Sequence, residues 1–474
     1  MSTTSPDRAA PPGAASSRVP AADDAAGSAA RASAVPSHAG GPADLVVRNV
    51  GELLTCAPAS GGLGVVSGAA LAATGDAITW IGPDTDLSGS AAGLIGPATS
   101  VLDAGGRVVM PGVVECHTHL VFGGDRAAEY QMRVAGRSYL EIAAAGGGIK
   151  STVAATRAAS SDELYERGLR HLAWMASFGV TTVEAKTGYG LSVEDELRVL
   201  EIYQKLDREH PLTIVPTLLG AHTVPLEYKE RPEAYVDLVV EEMVPAAAAR
   251  GLARFCDVFV EEGAFSPAQA RRVLEAGLAH GMRPKLHADQ LSAGGGAELA
   301  AELGAVSADH LDHISEAGIA AMAEAGVTGV LLPGAVFFLG LHDFAPARRM
   351  IEGGMRIALS TDFNPGTCFS ENVFLMGTLA SSYLRMTVDE VIPALTYNAA
   401  CAIAMEDQIG SLEVGKRADV LVLDVESHLA IPYHWGVNPV ATVIKDGRVL
   451  LERHATNPRV LPSWGADGSP GDKR

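Results

Sequence analysis

Residues 108–119, VVMPGVVECHTH, decide how the rest of the chain is read. An apolar, β-branched run ends there in His117-Thr118-His119. Residues i and i+2 of a strand face the same side. If the run is a strand of a closed barrel, both imidazoles stand at its C-terminal rim, where the active sites of such barrels lie. The tripeptide alone is common, so its meaning depends on the rest of the chain.

Working outward, seven more short strands come after it: TTVEAK (181–186), TIVPTLL (213–219), CDVFVEE (256–262), PKLHAD (284–289), VSADHL (306–311), GVLLPG (329–334) and IALSTD (357–362). Amphipathic stretches such as SDELYERGLRHLAWMASF (161–178) and VEDELRVLEIYQKL (193–206) lie between most of them. Eight βα units in about 290 residues predict an α/β fold, a (β/α)8 barrel of the TIM type. A doubly wound open sheet is the runner-up, but no GxGxxG opens a helix. In AAAGGGIKST (143–152), Ile149 stands where a phosphate-binding loop needs Gly before Lys, so that stretch reads as a flexible loop over the barrel mouth.

The flanks have a different texture. ADLVVRNVGELLTC (43–56) and ALAATGDAITWIG (70–82) read as an antiparallel meander, and GKRADVLVLDVESH (415–428) and PVATVIKDGRVLLER (439–453) repeat it. Pairing the two flanks into one small β-sandwich leaves no strand edge unpaired. The expected division is a disordered tail over 1–43, the first part of the sandwich over 44–107, the barrel over 108–408, the second part over 409–458 and a short tail over 459–474. Residues 1–43 are mainly Ala, Pro, Gly and Ser, too poor in large apolar side chains to order themselves.

Composition excludes several classes. The net charge of −20 disfavours nucleic acid and anionic lipid as partners. No apolar run is long enough for a membrane span, and the N-terminus lacks the pattern of a secretory signal. Cys56, Cys116, Cys256, Cys368 and Cys401 are scattered, odd in number and without CxxC, which predicts reduced thiols in a cytoplasmic protein. Cys116 precedes His117, but strand alternation should turn it away from its neighbours.

The other candidate ligands fall where the barrel reading needs them. His287 ends the fifth strand, His310 the sixth and Asp362 the eighth, all at C-terminal ends. This pattern resembles the amidohydrolase superfamily. The resemblance implies a metal held by His117, His119, His287 and Asp362. These nitrogen and oxygen ligands suit one Zn2+ or Fe ion. Binuclear members carry a carboxylated Lys at the end of the fourth strand, where this chain has Glu261-Glu262. Lys186, on the second strand, reads as an ordinary or substrate-facing lysine.

From residue 44 to 457 the chain more closely resembles the imidazolonepropionase family. The matching segments are HTHLVFGGDR (117–126), YLEIAAAGGGI (139–149), EAKTGYGL (184–191), LLGAHTVP (218–225), KLHADQ (285–290), SADHL (307–311) and STDFNPGT (360–367). That resemblance implies hydrolysis of the cyclic amide 4-imidazolone-5-propanoate to N-formimidoyl-L-glutamate. It implies His310 and Asp362 as catalytic groups. It implies Arg126, Tyr189, His222, Gln290, Asn364, Gly366 and Thr367 as substrate contacts, and a homodimer. Gln290 stands where some members have Glu; it can hydrogen-bond but cannot act as a base. His171, His210, His280 and His342 should be solvated. The rival readings are another mononuclear amidohydrolase, such as an aminopurine or cytosine-type deaminase, and a non-catalytic amidohydrolase-like assembly protein.

Overall fold

The computed structural model describes residues 41–137, 141 and 146–453. The expected N-terminal tail up to residue 40, residues 143–145 of the expected mouth loop, and residues 454–474 lie outside the described residues; of the rest of that loop, residues 149–152 are not loop but the start of a helix, Ile149–Ala158.

The stretch 108–119, read above as one strand, is two. Pro111-Gly112 divides it into a piece that joins the flanking sheet and a piece that opens the barrel. A Cβ on Gly112 would overlap the Thr181 side chain, and the Gly112 N–H donates to Asp419 O at 2.8 Å. Glycine thus permits the close approach at which the chain passes from one sheet to the other.

In chain order the flanking sheet takes β1 (Leu45–Leu54), β2 (Val65–Thr74), β3 (Ala77–Pro83), β4 (Ser100–Asp103) and β5 (Val108–Pro111). The barrel takes β6 (Val113–Thr118), β7 (Val180–Lys186), β8 (Thr213–Ala221), β9 (Phe255–Val260), β10 (Arg283–Ala288), β11 (Ser307–His310), β12 (Thr328–Leu331) and β13 (Ile357–Leu359). The chain then returns to the flanking sheet with β14 (Val420–Leu423), β15 (Val440–Lys445) and β16 (Arg448–Glu452).

The flanking strands form one mixed sheet in the order β16-β15-β14-β5-β1-β2-β3, with β4 beside β1. Both flanks therefore meet in a single hydrogen-bonded sheet. β14 joins it antiparallel to β5 (Val422 opposite Val109), while β4 and β5 run parallel to β1. Its apolar side chains, among them Leu45, Leu71, Ile78, Val420 and Ile444, share one buried cluster.

The barrel strands are parallel and ordered β6 to β13 without a break. A parallel bridge from Thr118 to Phe363 and the bond from His119 N to Phe363 O (2.9 Å) bring its two ends together. Val114, Cys116, Val215, Phe255, Val330 and Ala358 pack with Ala399, Ala400, Ala402 and Ile403 in an apolar cluster. Burial there pushes the Cys116 thiol up, so it stays protonated.

Two long helices begin at side-chain caps. Ser160 and Glu163 make a reciprocal capping box for Ser161–Ser177, and Ser192 caps Val193–Glu209. One expectation fails on the first of these. His171 is buried, not solvated, with Nδ1 2.8 Å from Leu120 O and its ring stacked on Phe122. Its helix face packs under the segment that leaves β6. His210 is half-buried and accepts from Leu212 N, whereas His280 and His342 are exposed.

Candidate metal centre and active site

His117 and His119 arrive on and just after β6, His287 on β10, His310 on β11, and Asp362 three residues after β13. All five are buried. The ring centroids of His117 and His287 are 4.5 Å apart, and those of His119 lie 5.8 and 5.7 Å from them. Asp362 Oδ1 lies 3.5 Å from His117 Nε2 and 3.8 Å from His119 Nε2. Ligand atoms of His117, His119 and Asp362 lie within 4.8 Å of one another, as do those of His117, His287 and His310. The two groups share His117 and describe one centre.

Each imidazole has a distinct back and front. His117 Nδ1 meets Asp309 Oδ2 at 2.6 Å, His287 Nδ1 meets Asp257 Oδ1 at 3.1 Å, and His119 Nδ1 faces Thr187 O at 3.4 Å. On the front, Nε2 of His117 and of His287 are buried without a hydrogen-bond partner. Buried polar atoms are rarely left so. A ring whose Nδ1–H is given to a carboxylate presents a bare Nε2 lone pair, as a metal ligand does. Burial drives His117, His119 and His310 well below the ordinary histidine range, so they are neutral. Burial also lifts the Asp362 carboxyl to about 7. The donor set fits a divalent cation of the zinc or iron kind.

Backbone geometry sharpens the cluster. His310 and Leu311 have φ of 77° and 62°, and Asp362 has φ of 54°. Non-glycine residues seldom enter this left-handed region. At β11 it breaks strand alternation, so that Asp309 can brace His117 while the neighbouring His310 ring still lies 5.6 Å from that of His117.

Beside the imidazoles lies a pocket of aromatic and polar groups. His222 stacks on His119 at 4.9 Å and holds Gly188 O through Nδ1 at 2.9 Å. Burial and the neighbouring His287 push His222 down to about 3. The Tyr189 ring lies 5.4 Å from those of His119 and His222. Arg126 is half-buried, its Nε donating to Thr152 Oγ1 at 2.9 Å and its guanidinium packed on Gly366. Around it opens a cavity of about 230 Å³ lined by Arg126, Tyr130, Arg133, Phe338, Gly366 and Phe369, among others.

Residues 108–450 match the amidohydrolase family. An imidazolonepropionase of Symbiobacterium thermophilum is 52% identical over 87% of this chain and 98% of its own length. The chain belongs to the imidazolonepropionase branch of the amidohydrolase family. Another imidazolonepropionase, from Geobacillus kaustophilus, is 47% identical over 86% of the chain and 98% of its own length. Among solved structures, a zinc-bound adenosine deaminase from Xanthomonas campestris shares the fold at a TM-score of 0.66 and 20% identity, covering 87% of this chain and 94% of that one. A 5-methylcytosine deaminase from Klebsiella pneumoniae does so at 0.66 and 16%, over 86% and 98%.

Against this family background, one expectation about a side chain changes. Lys186 is neither ordinary nor substrate-facing. It is fully buried, with Nζ 2.7 Å from Asp257, 3.0 Å from Glu184 and 3.3 Å from Asp309. The segment 364–367 is a self-satisfied turn. Asn364 Oδ1 accepts from Gly366 N and Thr367 N at 2.7 and 2.8 Å. Its Nδ2 donates to Asp362 O and Thr367 Oγ1, and Thr367 Oγ1 donates to Asp362 Oδ2 at 3.0 Å. A substrate bonding these groups would have to exchange one of these partners. Gln290 is half-buried in the loop after β10. That loop is held by Glu261, which accepts from Leu291 N and Ser292 Oγ. Neither Glu261 nor Glu262 belongs to the ligand groups.

Sequence reasoning passed over Asp257, Asp309 and Glu184, the carboxylates around Lys186. Glu196 escaped notice as well. It accepts from the N–H groups of Gly188, Gly190 and Leu191 at 3.0, 2.8 and 2.7 Å and so shapes the loop that carries Tyr189. The one available signal was their setting: Glu184-x-Lys186 and Asp257 are charges inside otherwise apolar strands.

Proposed function

We propose that this chain opens the ring of 4-imidazolone-5-propanoate by hydrolysis, giving N-formimidoyl-L-glutamate, a step of histidine degradation. The observation that carries this reading is that relatives called imidazolonepropionases match the chain at about half identity along nearly their whole length. Likeness to deaminases at 20% identity or less speaks for the fold alone.

In this reading His117, His119, His287 and Asp362 hold one Zn2+ or Fe ion. When bound, such an ion supplies a Lewis acid that activates water and polarises a carbonyl. The chain's own groups do the rest. Arg126 receives the propionate carboxylate through its planar fork. Tyr189 and His222 wall the ring, and Gln290 offers a hydrogen bond to the lactam. Asn364, Gly366 and Thr367 support Asp362 and the Arg126 guanidinium, and bond the polar end of the substrate if their turn opens. Water adds to the ring carbonyl carbon, His310 steadies the oxygen as it gains charge, and the C–N bond breaks. Asp362 takes the proton from the attacking water and returns it to the departing nitrogen.

A cytoplasmic, homodimeric enzyme is the expected setting. All five cysteines are unpaired and buried, and among the described residues no helix is long and apolar enough to cross a membrane. Freshly prepared 4-imidazolone-5-propanoate should lose its ultraviolet absorbance when the metal-loaded protein is added. Consumption of an aminopurine or cytosine in its place would move the chain to the deaminase reading.

A further inference from the structure

The region behind the two braced imidazoles holds an ion cluster for which the reaction above has no use. Glu184, Lys186, Asp257, Lys285 and Asp309 all have wholly buried side chains. Lys186 Nζ lies within 3.3 Å of three carboxylates. Lys285 is 4.0 Å from Asp309 and donates a hydrogen bond to Ala402 O at 2.9 Å. A buried cluster of this kind is a poor source of net stability, because desolvation offsets much of the attraction. Its placement suggests another use.

Two of the carboxylates face two ways. Asp309 Oδ2 is shared between Lys186 Nζ and His117 Nδ1, at 3.3 and 2.6 Å. Asp257 accepts from Lys186 Nζ at Oδ2 (2.7 Å) and meets His287 Nδ1 with Oδ1 (3.1 Å). One ammonium on β7 therefore reaches imidazoles on β6 and β10 through acids on β11 and β9. We propose that Lys186 is a positioning residue for the metal site: it clamps Asp257 and Asp309 side by side, and through them holds His117 and His287 with Nε2 turned inward. Without the ammonium, two like charges would face each other in a medium of low polarity and swing apart, releasing both rings from their acceptors. Although burial opposes its charge, the three carboxylates hold Lys186 above the ordinary lysine range.

This inference rests on the reading of His117 and His287 as ligands, and its test separates the two. Full-length protein is stripped with a chelator. Zinc affinity is then measured by competition with a chromogenic chelator, and the cobalt-substituted protein is recorded by visible absorption. Lys186→Met, Asp309→Asn, Asp257→Asn and the Lys186→Met/Asp257→Asn double variant are compared with the native chain and with His119→Ala.

Loss of an outer-shell partner typically weakens metal binding ten- to hundredfold. Lys186→Met and Asp309→Asn should each fall by that factor and shift the cobalt bands. The double variant should lose little more than its weaker parent, because both changes cut one chain of contacts. Native zinc affinity and an unchanged cobalt spectrum in folded Lys186→Met would overturn the proposal, as would losses that multiply in the double variant. Should Lys186→Met fail to fold, Asp309→Asn decides: unchanged affinity there overturns it equally. His119→Ala reports on the ligand reading, since His119 leans on Thr187 O and not on the ion cluster. If His119→Ala leaves zinc affinity untouched, the ligand reading has failed. If it removes binding while Lys186→Met does not, only the role of Lys186 has.

Discussion

Arg126 is held by two neighbours with different tasks. Thr152 fixes Nε, and Gly366 leaves room for the guanidinium. Arg126→Lys keeps the charge and loses the fork, so substrate binding should weaken by roughly 1–3 kcal/mol, seen as a raised KM with kcat little changed. Gly366→Ala tests the same contact from the other side. Its methyl would occupy the place of the Arg126 guanidinium. It should raise KM in the same sense, and combining it with Arg126→Lys should add little. A KM unchanged by Gly366→Ala would show that the arginine can move without consequence. His310→Ala belongs to another class. Removing a donor to a developing oxyanion costs on the order of 10²–10³ in kcat, so kcat should fall far more than KM rises.

At the scale of elements, the loops after the strands are held by buried carboxylates. Glu196, on the helix after β7, collects three N–H groups of the segment 188–191 and thereby places Tyr189 and the carbonyl that orients His222. Removing the acceptor strands buried donors, at about 1–3 kcal/mol each. Glu196→Ala should lower the melting temperature and raise KM, while one metal ion per chain is retained. Loss of the metal as well would mean that the loop supports the ligands and not only the pocket.

The same scale shows what could be read beforehand. Strand ends were legible because His117, His119, His287, His310 and Asp362 each close an apolar run, and a closed barrel turns such ends toward one rim. The passage from β5 to β6 was not, since Pro111-Gly112 interrupts a run whose apolar pattern is continuous. Nor were the braces. Asp257 and Asp309 become partners of His287 and His117 only when β9, β10, β11 and β6 close into a ring, and nothing local in the chain announces contacts across 30 or 192 residues. His171 misled for the complementary reason: a histidine among charged helix residues looks solvated until the segment leaving β6 covers it.

For the whole molecule, the proposed ligands His117, His119, His287 and Asp362 come from three places in the chain, β6, β10 and the segment after β13. An ion bound there stabilises the folded state by mass action, since the unfolded chain has no assembled site. Removing the metal by chelation should therefore abolish turnover and lower the melting temperature, and added zinc or iron should restore both. Restored stability without restored turnover would assign the ion a structural role only. The most direct test of the account joins metal to chemistry in one sample. Protein of known metal content is mixed with fresh 4-imidazolone-5-propanoate while the ultraviolet absorbance is followed and the product is identified by mass. The account predicts turnover in proportion to one metal ion per chain, with N-formimidoyl-L-glutamate as the product. A fully metal-loaded, folded protein that leaves this substrate intact would contradict it.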